Sequence, residues 1–438
     1  MKKQILAASL CIILFSCKKE DGGNKDNHSG FIYTSTNATS GNGIIAMGRK
    51  SDGTLMELPG SPYKTGSSGD AAEGDFDTQG ALRIIGDYLL AVNAGNNPVN
   101  STISVFKMKR TNGSLTQVDQ NTSTPAMDNM DSRGIRASSI AAKKIGGTTW
   151  VVISNQHSNP HYEMEPPVAV GSVVTSPLRN VVVFTLNEST GLLEYKSIGA
   201  TYTDGNYGGP TTVDFNATGS KIAVSTWGVT HIMAPEPNPD LQKSSRLYIY
   251  NFSGGTLTQT GVYQEPGVSG SIGFSWSPND KYIYLSNFNL HSSKEANSVT
   301  VHDGSTGVKI QNFASGGRND EACWTWVSLD RSKLYVVSFA ENIVSVFGIA
   351  SDNKLTNILT PNFFTRAGNP PMGDSKDIYQ ANDYLYVAGS FQSHTIAVFK
   401  IAGSGALTEI SGSPFPVPSS IGKTKDQQAY LGLTGFDK

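Results

Sequence analysis

The chain has 438 residues, of which 38% are hydrophobic and 16% are charged, and its formal net charge is −2. A balance so close to neutral, with no basic run interleaved with aromatic residues, gives no electrostatic footprint for nucleic acid. The 46 glycines and the small charged fraction favour a turn-rich, all-β protein with a large core.

The first residues form a targeting signal. Lys2 and Lys3 precede an apolar stretch over residues 5–15, which is too short to span a bilayer. The stretch ends in Leu-Phe-Ser followed by Cys17, which resembles a bacterial lipobox. Cleavage before Cys17 would leave its thiol and its amine for acyl chains, and two or more chains anchor a protein stably. The alternative is an ordinary signal peptide with an incidental cysteine.

The segment after the lipobox is polar and rich in Gly, Asn, Lys and Asp. We therefore predict a lipoprotein signal over residues 1–17 and a flexible tether over residues 18–29. The protein would be a membrane-anchored lipoprotein in the periplasm or at the outer membrane or cell surface, held by its lipid alone. Once Cys11 is removed with the signal and Cys17 is acylated, Cys323 would be the only thiol left, so no internal disulfide is predicted.

From residue 30 onward the sequence repeats itself seven times. Short segments alternate hydrophobic with smaller or polar residues, as half-buried strands do. The second strand of each repeat recurs as FIYTST, YLLAVN, WVVISN, KIAVST, YIYLSN, KLYVVS and YLYVAG. The third strand and the turn after it recur in the same order, with turns such as SDGTL, TNGSL and STGLL. Three matching segments in a fixed order predict a repeat architecture.

The repeat over residues 321–358 shows all four strands, which we predict at residues 323–329, 333–338, 342–349 and 354–358. A four-stranded unit cannot bury both of its faces alone, and it needs neighbours. Seven such sheets set radially form a β-propeller. Loops must carry insertions, because the repeat spacing exceeds the roughly 40 to 50 residues of ordinary blades.

The first repeat lacks a first strand, and the end of the chain supplies one. Residues 428–436, QAYLGLTGF, alternate like a strand and have no sequel. We predict that this strand closes the ring in blade one, which removes the last unpaired edge. A single propeller domain would then cover residues 30–438.

Two stretches resemble the lactonase-like seven-bladed propeller family, TISVFKMKRTNGSL and NDEACWTWVSLDRSKLYVVSFAENIVSVFGI. This family includes 6-phosphogluconolactonases and propeller-type 3-carboxymuconate cyclases. The resemblance extends from about residue 30 to the end of the chain. It implies an all-β, seven-bladed propeller of four-stranded antiparallel blades, and it is less informative about chemistry because one fold hosts many functions.

The family's enzymes are thought to use His, Arg and Glu around the central funnel, in a Gly-Pro-Arg-His segment followed by Asn-Glu. This chain has Gly-Ser-Ile-Gly from Gly270 and Asn-Phe from Asn287 at the corresponding places. A lactone hydrolase needs a base to activate water and a cation for the developing oxyanion. Whether the protein is an enzyme therefore stays open. If it is one, the resemblance implies a lactonase, which is a carboxylic ester hydrolase, or a muconate-type cycloisomerase.

Loop length selects the functional face. In a propeller blade, the loops from strand two to strand three and those between blades lie on one face, here called the loop face. These loops hold the insertions, whereas the turns on the opposite face are as short as SDG and TNG. Because long loops on a rigid scaffold commonly carry binding sites, we predict binding on the loop face and no chemistry on the opposite, turn face.

Polar and aromatic residues at first-strand starts and in these loops are our candidates for a ligand-binding funnel. They are Arg133, Arg136, His157, Tyr207, Trp227, Arg318, Glu321, Lys376 and His394. Arg can hold a carboxylate through two hydrogen bonds, so the expected ligand is a small carboxylate or sugar acid, or else a protein partner on the same face. The alternative for each charged residue is a solvated loop position or an ion pair between blades. No catalytic residue is assigned.

No cofactor or metal is predicted. His157 and His161 lie four residues apart in a loop and lack a third ligand for zinc. The acidic residues between Asp70 and Asp77 lack the spacing of an EF-hand, although they leave a structural divalent cation open. We therefore predict a monomeric, lipid-anchored extracytoplasmic propeller that recognises a small carboxylated or sugar-like ligand. The alternative is a lactone hydrolase or cycloisomerase.

Overall fold

The computed structural model describes residues 27–70, 78–95, 101–156, 179–202, 209–228, 244–266, 268–288, 297–315, 321–339, 342–363 and 373–438. The strands in these ranges form seven antiparallel sheets, each with four strands in its main path. The predicted all-β, seven-bladed propeller is confirmed. None of the helices in these ranges is long and apolar enough to cross a membrane.

The strands are numbered in chain order. In the first three blades they are β1 (Gly30–Ser35), β2 (Gly43–Arg49), β3 (Leu55–Glu57), β4 (Tyr63–Lys64), β5 (Leu82–Ile85), β6 (Tyr88–Asn93), β7 (Thr102–Lys109), β8 (Ser114–Gln117), β9 (Met130–Asp131), β10 (Ala137–Ile145), β11 (Thr148–Asn155), β12 (Asn180–Leu186) and β13 (Leu193–Thr201). In blades four and five they are β14 (Pro210–Phe215), β15 (Lys221–Thr226), β16 (Leu247–Ser253), β17 (Thr256–Tyr263), β18 (Ser271–Trp276), β19 (Tyr282–Asn287), β20 (Val299–Asp303) and β21 (Lys309–Phe313).

In the last two blades they are β22 (Ala322–Val327), β23 (Lys333–Ser338), β24 (Ile343–Ile349), β25 (Leu355–Phe363), β26 (Ser375–Ala381), β27 (Tyr384–Gly389), β28 (Thr395–Ile401), β29 (Leu407–Glu409) and β30 (Phe415–Pro416). A 3₁₀ helix over Pro418–Ser420 then leads to β31 (Leu431–Asp437). The template repeat is therefore found with small boundary shifts, except that its fourth strand, β25, is longer than expected.

The C-terminal strand closes the ring as predicted. β31 pairs antiparallel with β1, and the register places Gly30 opposite Asp437. The closure is reinforced from β2, where the buried guanidinium of Arg49 forms an ion pair with the Asp437 carboxylate. β31 is thus the innermost strand of blade one, so this sheet contains both ends of the described chain.

Alternate residues of one strand face the two neighbouring blades. In β19, Ile283 and Leu285 pack in one core cluster with β15–β18 residues such as Phe274, whereas Tyr282 and Tyr284 pack in another with blade six. Both sheet faces are therefore dry, which explains why the strands are rich in Val, Ile, Leu and Tyr rather than strictly amphipathic. Each such side chain contributes roughly 1.5–3 kcal/mol when it is fully buried.

Tyrosine hydroxyls fasten several neighbouring blades together. The tyrosine is the third residue of a second strand, or the fourth in β1. Its hydroxyl donates to a backbone carbonyl in the turn between strands three and four of the next blade. These pairs are Tyr33 with Gly113 at 2.9 Å, Tyr284 with Asn353 at 2.6 Å and Tyr386 with Gly53 at 3.3 Å. The turn face is therefore held by a repeated contact from one blade to the next.

The outer edges of blades one, two and seven differ from the prediction. Their fourth strands are only three or four residues long, and a separate two-residue strand pairs with the third strand further along. In blade one, Ser61 Oγ donates to Glu57 at 2.7 Å and accepts the Ala46 N–H at 3.1 Å, which returns the chain to the sheet. Ser413 makes the corresponding contacts in blade seven. The shared Gly-Ser-Pro segment is the sequence cause.

Candidate functional site: an axial cavity on the turn face

The innermost strands surround the propeller axis, and in the described pairings most of them shift register near their loop-face end. The extra residue at such a bulge reaches the next blade. Thr211 Oγ1 donates to the Ser271 carbonyl at 2.8 Å, and the Asp377 carboxylate accepts the Leu433 N–H at 2.8 Å. Bulges redirect side chains, so this layer presents polar groups close to the axis.

A short segment before β5 fills the axis at this level. The Thr78 carbonyl accepts the Trp324 indole N–H at 2.8 Å. Gln79 donates from Nε2 to the Phe274 carbonyl at 3.0 Å, and its Oε1 accepts the Thr325 N–H at 2.9 Å. A segment leading into blade two thus contacts blades five and six, and we call it the axial plug (Thr78–Gln79).

Between the axial plug and the short turns lies a cavity of about 500 Å³, which we call the axial cavity. It opens toward the turn face, because its rim includes residues of the β18–β19 and β22–β23 turns such as Pro278 and Leu329. The residues that carry its chemistry are Gln79, Arg83, Asp214, Trp276, Trp326 and Asp377.

Five lining residues occupy the same register position in five blades. Each pairs with the third residue of its blade's second strand, or with the fourth residue in β1, which is the position that Tyr284 occupies in blade five. They are Thr434, Arg83, Asp214, Ser275 and Trp326. The repeat therefore sets a hydroxyl, a guanidinium, a carboxylate, a second hydroxyl and an indole in one layer around the cavity.

Arg83 of blade two and Asp214 of blade four form an ion pair within this layer. Arg83 Nη2 lies 3.2 Å from Asp214 Oδ1, and both side chains are about one-third exposed. Arg83 Nε also donates to the Ile140 carbonyl at 3.0 Å, and Asp214 Oδ1 accepts the Phe215 N–H at 2.9 Å. These bonds hold two charged groups in fixed positions at the cavity wall, where a ligand can reach their exposed sides.

Asp377 lies deeper than this pair. Its side chain is buried, and its two oxygens accept the backbone N–H groups of Ile378 and Leu433, each at 2.8 Å. Burial raises the pKa of this carboxyl from its ordinary 3.8 to about 7, against the opposing effects of the two N–H donors and the Arg83 charge. A carboxyl with a pKa near neutrality beside a cavity is a recognised mark of functional sites.

Arg136 and Arg133 are placed differently by the structure. Arg136 Nε lies 2.7 Å from Asp70 Oδ2, and both side chains are almost fully buried, with 3% and 6% exposed. Arg133 is exposed, and its guanidinium lies over the ring of Tyr195 on the outer strand β13, 5.2 Å from the centroid. Arg136 therefore forms an ion pair between blades, which was the alternative reading of the sequence. The charged end of Arg133 lies at the periphery of the ring.

The contacts described for Trp227 and His394 are with other residues of the protein interior. Trp227 is fully buried and packs against Phe288, with ring centroids 6.0 Å apart. His394 is 4% exposed, its Nε2 lies 2.8 Å from the Gln428 carbonyl, and its ring lies 5.1 Å from that of Tyr430. His394 thus joins a loop of blade seven to the segment that leads into the closing strand.

Lys376 is also buried, and its ammonium lies 5.3 Å from the centroid of the Phe391 ring. Glu321 is half-buried directly before β22, where its carbonyl accepts the N–H of Phe339 at 2.9 Å. The remaining predicted site residues lie outside the described ranges. They are His157, Tyr207, Arg318 and the lipidation residue Cys17.

The axial cavity residues were not among the candidates, although the sequence contains a signal for them. The first strands can be aligned on the residue that pairs with the Tyr284 position of the second strand. This alignment places Arg83 and Asp214 in one column. Two charged residues in one column of the innermost strands are that signal. The axial plug has no such signal, because Thr78 and Gln79 precede the first predicted segment of their blade.

Comparison with solved structures supports the fold. The chain matches none of the protein-family models and none of the curated proteins against which it was compared. A putative 6-phosphogluconolactonase from Bacteroides fragilis superposes with a TM-score of 0.60 at 15% identity, covering 93% of this chain and 98% of that one. A putative 6-phosphogluconolactonase from Bacteroides uniformis gives 0.61 at 14% identity over 94% and 100%.

A periplasmic gluconolactonase from Pseudomonas aeruginosa gives a TM-score of 0.58 at 13% identity, over 93% of this chain and 98% of that one. Identities this low show a shared fold and leave function to the site itself. The propeller fold implied by the family resemblance is thus confirmed, and these gluconolactonase-like structures share it.

Proposed function

We propose that the protein binds a small, neutral, polyhydroxylated compound, a sugar or a sugar lactone, in the axial cavity. The observation that carries this proposal is the layer of Thr434, Arg83, Asp214, Ser275 and Trp326 around a closed-ended space. A volume of about 500 Å³ is in the usual range for small-ligand sites. Two indoles, Trp276 and Trp326, offer flat apolar walls.

The polar groups of the cavity suit hydroxyl groups. Carboxylate oxygens of Asp214 accept hydrogen bonds from a ligand, the amide of Gln79 lies at the closed end, and Ser275 adds a hydroxyl. Aromatic faces would pack against the C–H side of a sugar ring while these groups pair its hydroxyls.

The charge balance favours a neutral ligand over a carboxylate. The charged side chains lining the cavity are two arginines, Arg83 and Arg331, and three aspartates, Asp214, Asp280 and Asp377. Arg83 is already paired with Asp214, so an added anion would face an uncompensated carboxylate whenever Asp377 is ionised. This differs from the carboxylated ligand expected on the loop face.

Replacing Asp214 by Asn should lower the affinity for a bound sugar roughly 10- to 100-fold, because a hydrogen bond to a charged acceptor becomes one to a neutral acceptor. Asn keeps the oxygen that accepts the Phe215 N–H. Isothermal titration against a panel of neutral monosaccharides and aldonolactones would measure the change.

The matched control is Asp87→Asn. Asp87 forms an exposed ion pair with Arg110 at 2.9 Å on the same face but does not line the axial cavity. Equal effects of the two substitutions, or a wild-type protein that binds no compound of the panel, would contradict the proposal.

A second candidate function is lactone hydrolysis, and Asp377 is the observation that favours it. A carboxyl with a pKa of about 7 is suited to act as a general base at neutral pH. Arg83 lies close enough to affect that pKa and would stabilise an oxyanion. We expect the rate of glucono-1,5-lactone hydrolysis by the protein lacking its first 29 residues to fall in the Asp377→Asn variant. An unchanged rate would show that this carboxylate takes no part in the reaction.

We also propose that the protein is an extracytoplasmic lipoprotein, on the strength of the lipobox-like segment before Cys17. Cys17→Ala should abolish labelling by radioactive palmitate and release the protein from the membrane fraction, because an apolar stretch this short cannot anchor by spanning. Cys11→Ala is the matched control and should label normally. Labelled Cys17→Ala protein would refute the assignment.

A further inference from the structure

The joint between blades six and seven is built differently from several other joints. At four of those joints an aromatic side chain near the start of a second strand lies against a glycine in the turn of the next blade. These pairs are Phe31 with Gly113, Tyr88 with Gly191, Trp150 with Gly255 and Tyr384 with Gly53. In blade six the corresponding residue is Lys333, which lies against Gly405. A thin, flexible lysine fills less of the joint than a ring.

A cleft of about 400 Å³ lies at this joint, lined by Lys333, Tyr335, Gln380, Asp383 and Gly405 among others. Tyr335 is the third residue of its second strand, so it corresponds to the three tyrosines that fasten blades elsewhere. It is fully buried, yet its hydroxyl has no hydrogen-bond partner in the described structure. Gly405, which corresponds to the acceptor Gly53, borders the cleft instead of accepting that hydroxyl.

A buried hydroxyl without an acceptor is unfavourable, because it has lost its water partners without replacement. Phe would fill the same space without this cost. The hydroxyl therefore marks a place where an acceptor from outside the chain would be stabilised.

The cleft adjoins the axial cavity. Ser328 and Leu329 line both spaces, and the Leu329 side chain is 56% exposed between them. A ligand longer than one sugar ring, with its first unit in the axial cavity, would pass this leucine and bring its next unit to the cleft.

We propose that the cleft between blades six and seven is a second subsite, in which the Tyr335 hydroxyl donates to a hydroxyl, ether or carbonyl oxygen of the ligand's second unit. The inference rests on the proposed function and adds to it the size of the ligand, which is at least a disaccharide. Lys333 and Asp383 at the cleft supply further donors and acceptors for its hydroxyl groups.

Isothermal titration of the full-length protein with glucose, galactose, cellobiose, maltose and lactose tests this inference. At least one disaccharide should bind more tightly than its monosaccharides. Tyr335→Phe should weaken that disaccharide roughly 3- to 10-fold, as expected for one hydrogen bond, and leave monosaccharide binding unchanged. Lys333→Tyr, which restores the aromatic ring of other joints, should remove the preference for the disaccharide.

Thermal unfolding provides a readout that needs no ligand. Tyr335→Phe should keep or raise the melting temperature, because it removes a buried hydroxyl that has no partner, whereas Tyr284→Phe should lower it by about 1 to 3 °C, because Tyr284 loses its bond to the Asn353 carbonyl. Equal losses would show that Tyr335 has a partner within the protein and would overturn the subsite.

The titration outcomes separate the two proposals. If monosaccharides and disaccharides bind equally, or Tyr335→Phe weakens both alike, the subsite is refuted while the axial cavity stands. If only aldonolactones bind, the subsite is refuted while the axial cavity stands. If neither the five sugars nor the aldonolactones bind, the proposed function fails and the subsite fails with it.

Discussion

Replacing Arg136 by Leu should lower the free energy of unfolding by about 3 to 5 kcal/mol, because it leaves the buried Asp70 carboxylate without this charge partner. The two groups are 2.7 Å apart and almost completely shielded from water. Asp70 follows blade one, where its N–H donates to Asn37 Oδ1 at 2.9 Å, and Arg136 precedes the first strand of blade three. The pair therefore joins parts of the ring that the intervening blade separates.

Arg133→Leu is the matched control, since Arg133 lies three residues earlier in the same segment. Its exposed guanidinium lies over the face of the Tyr195 ring, so we expect a loss of less than about 1 kcal/mol. Urea denaturation of both variants, together with Asp70→Asn and the double variant, would give the coupling energy of the pair. Similar losses for Arg133→Leu and Arg136→Leu would show that the ion pair contributes little.

The fold was predictable because its determinants are local and repeated. In β23, Lys333–Ser338, the predicted and observed bounds coincide, since alternation and the flanking Asp-Arg-Ser turn specify both ends. Closure of the ring by β31 was predictable, because the first repeat lacked a first strand and the end of the chain supplied an extra one. The long β25 was missed because Pro361 and Asn362 are unfavourable strand residues, and only pairing with β24 keeps that segment extended.

The site was less predictable because it depends on contacts between distant residues. Loop length indicated where insertions lie, and it gave no information about the inner strands. That Arg136 would pair with Asp70 could not be read from the sequence, because the two residues are 66 positions apart and meet only after the blades have assembled. The position of Asp377 at a bulge likewise depends on a register shift between β26 and β27.

Asp377 should make a contribution to the stability of the protein that falls as the pH rises from about 4 to about 7, and comparison with Asp377→Asn isolates that contribution. Burial raises the pKa of this carboxyl above its value in the unfolded chain. The folded state therefore binds the proton more tightly, which favours folding at low pH. This contribution is complete below pH 4 and is lost as the pH passes through about 7.

At about 1.4 kcal/mol for each pH unit between 3.8 and about 7, the loss amounts to at most about 4 kcal/mol. Urea unfolding from about pH 4 to about pH 8 should show wild-type protein losing this amount relative to Asp377→Asn. The substitution also alters the bond to the Leu433 N–H. A constant offset between the two curves is therefore uninformative, and only the difference between their slopes reports the titration of Asp377. Asp214→Asn, in the same cavity, should keep the wild-type slope because Asp377 is intact. Parallel curves for wild type and Asp377→Asn would show that the carboxyl titrates at its ordinary pH, which would also remove the basis for its role as a general base.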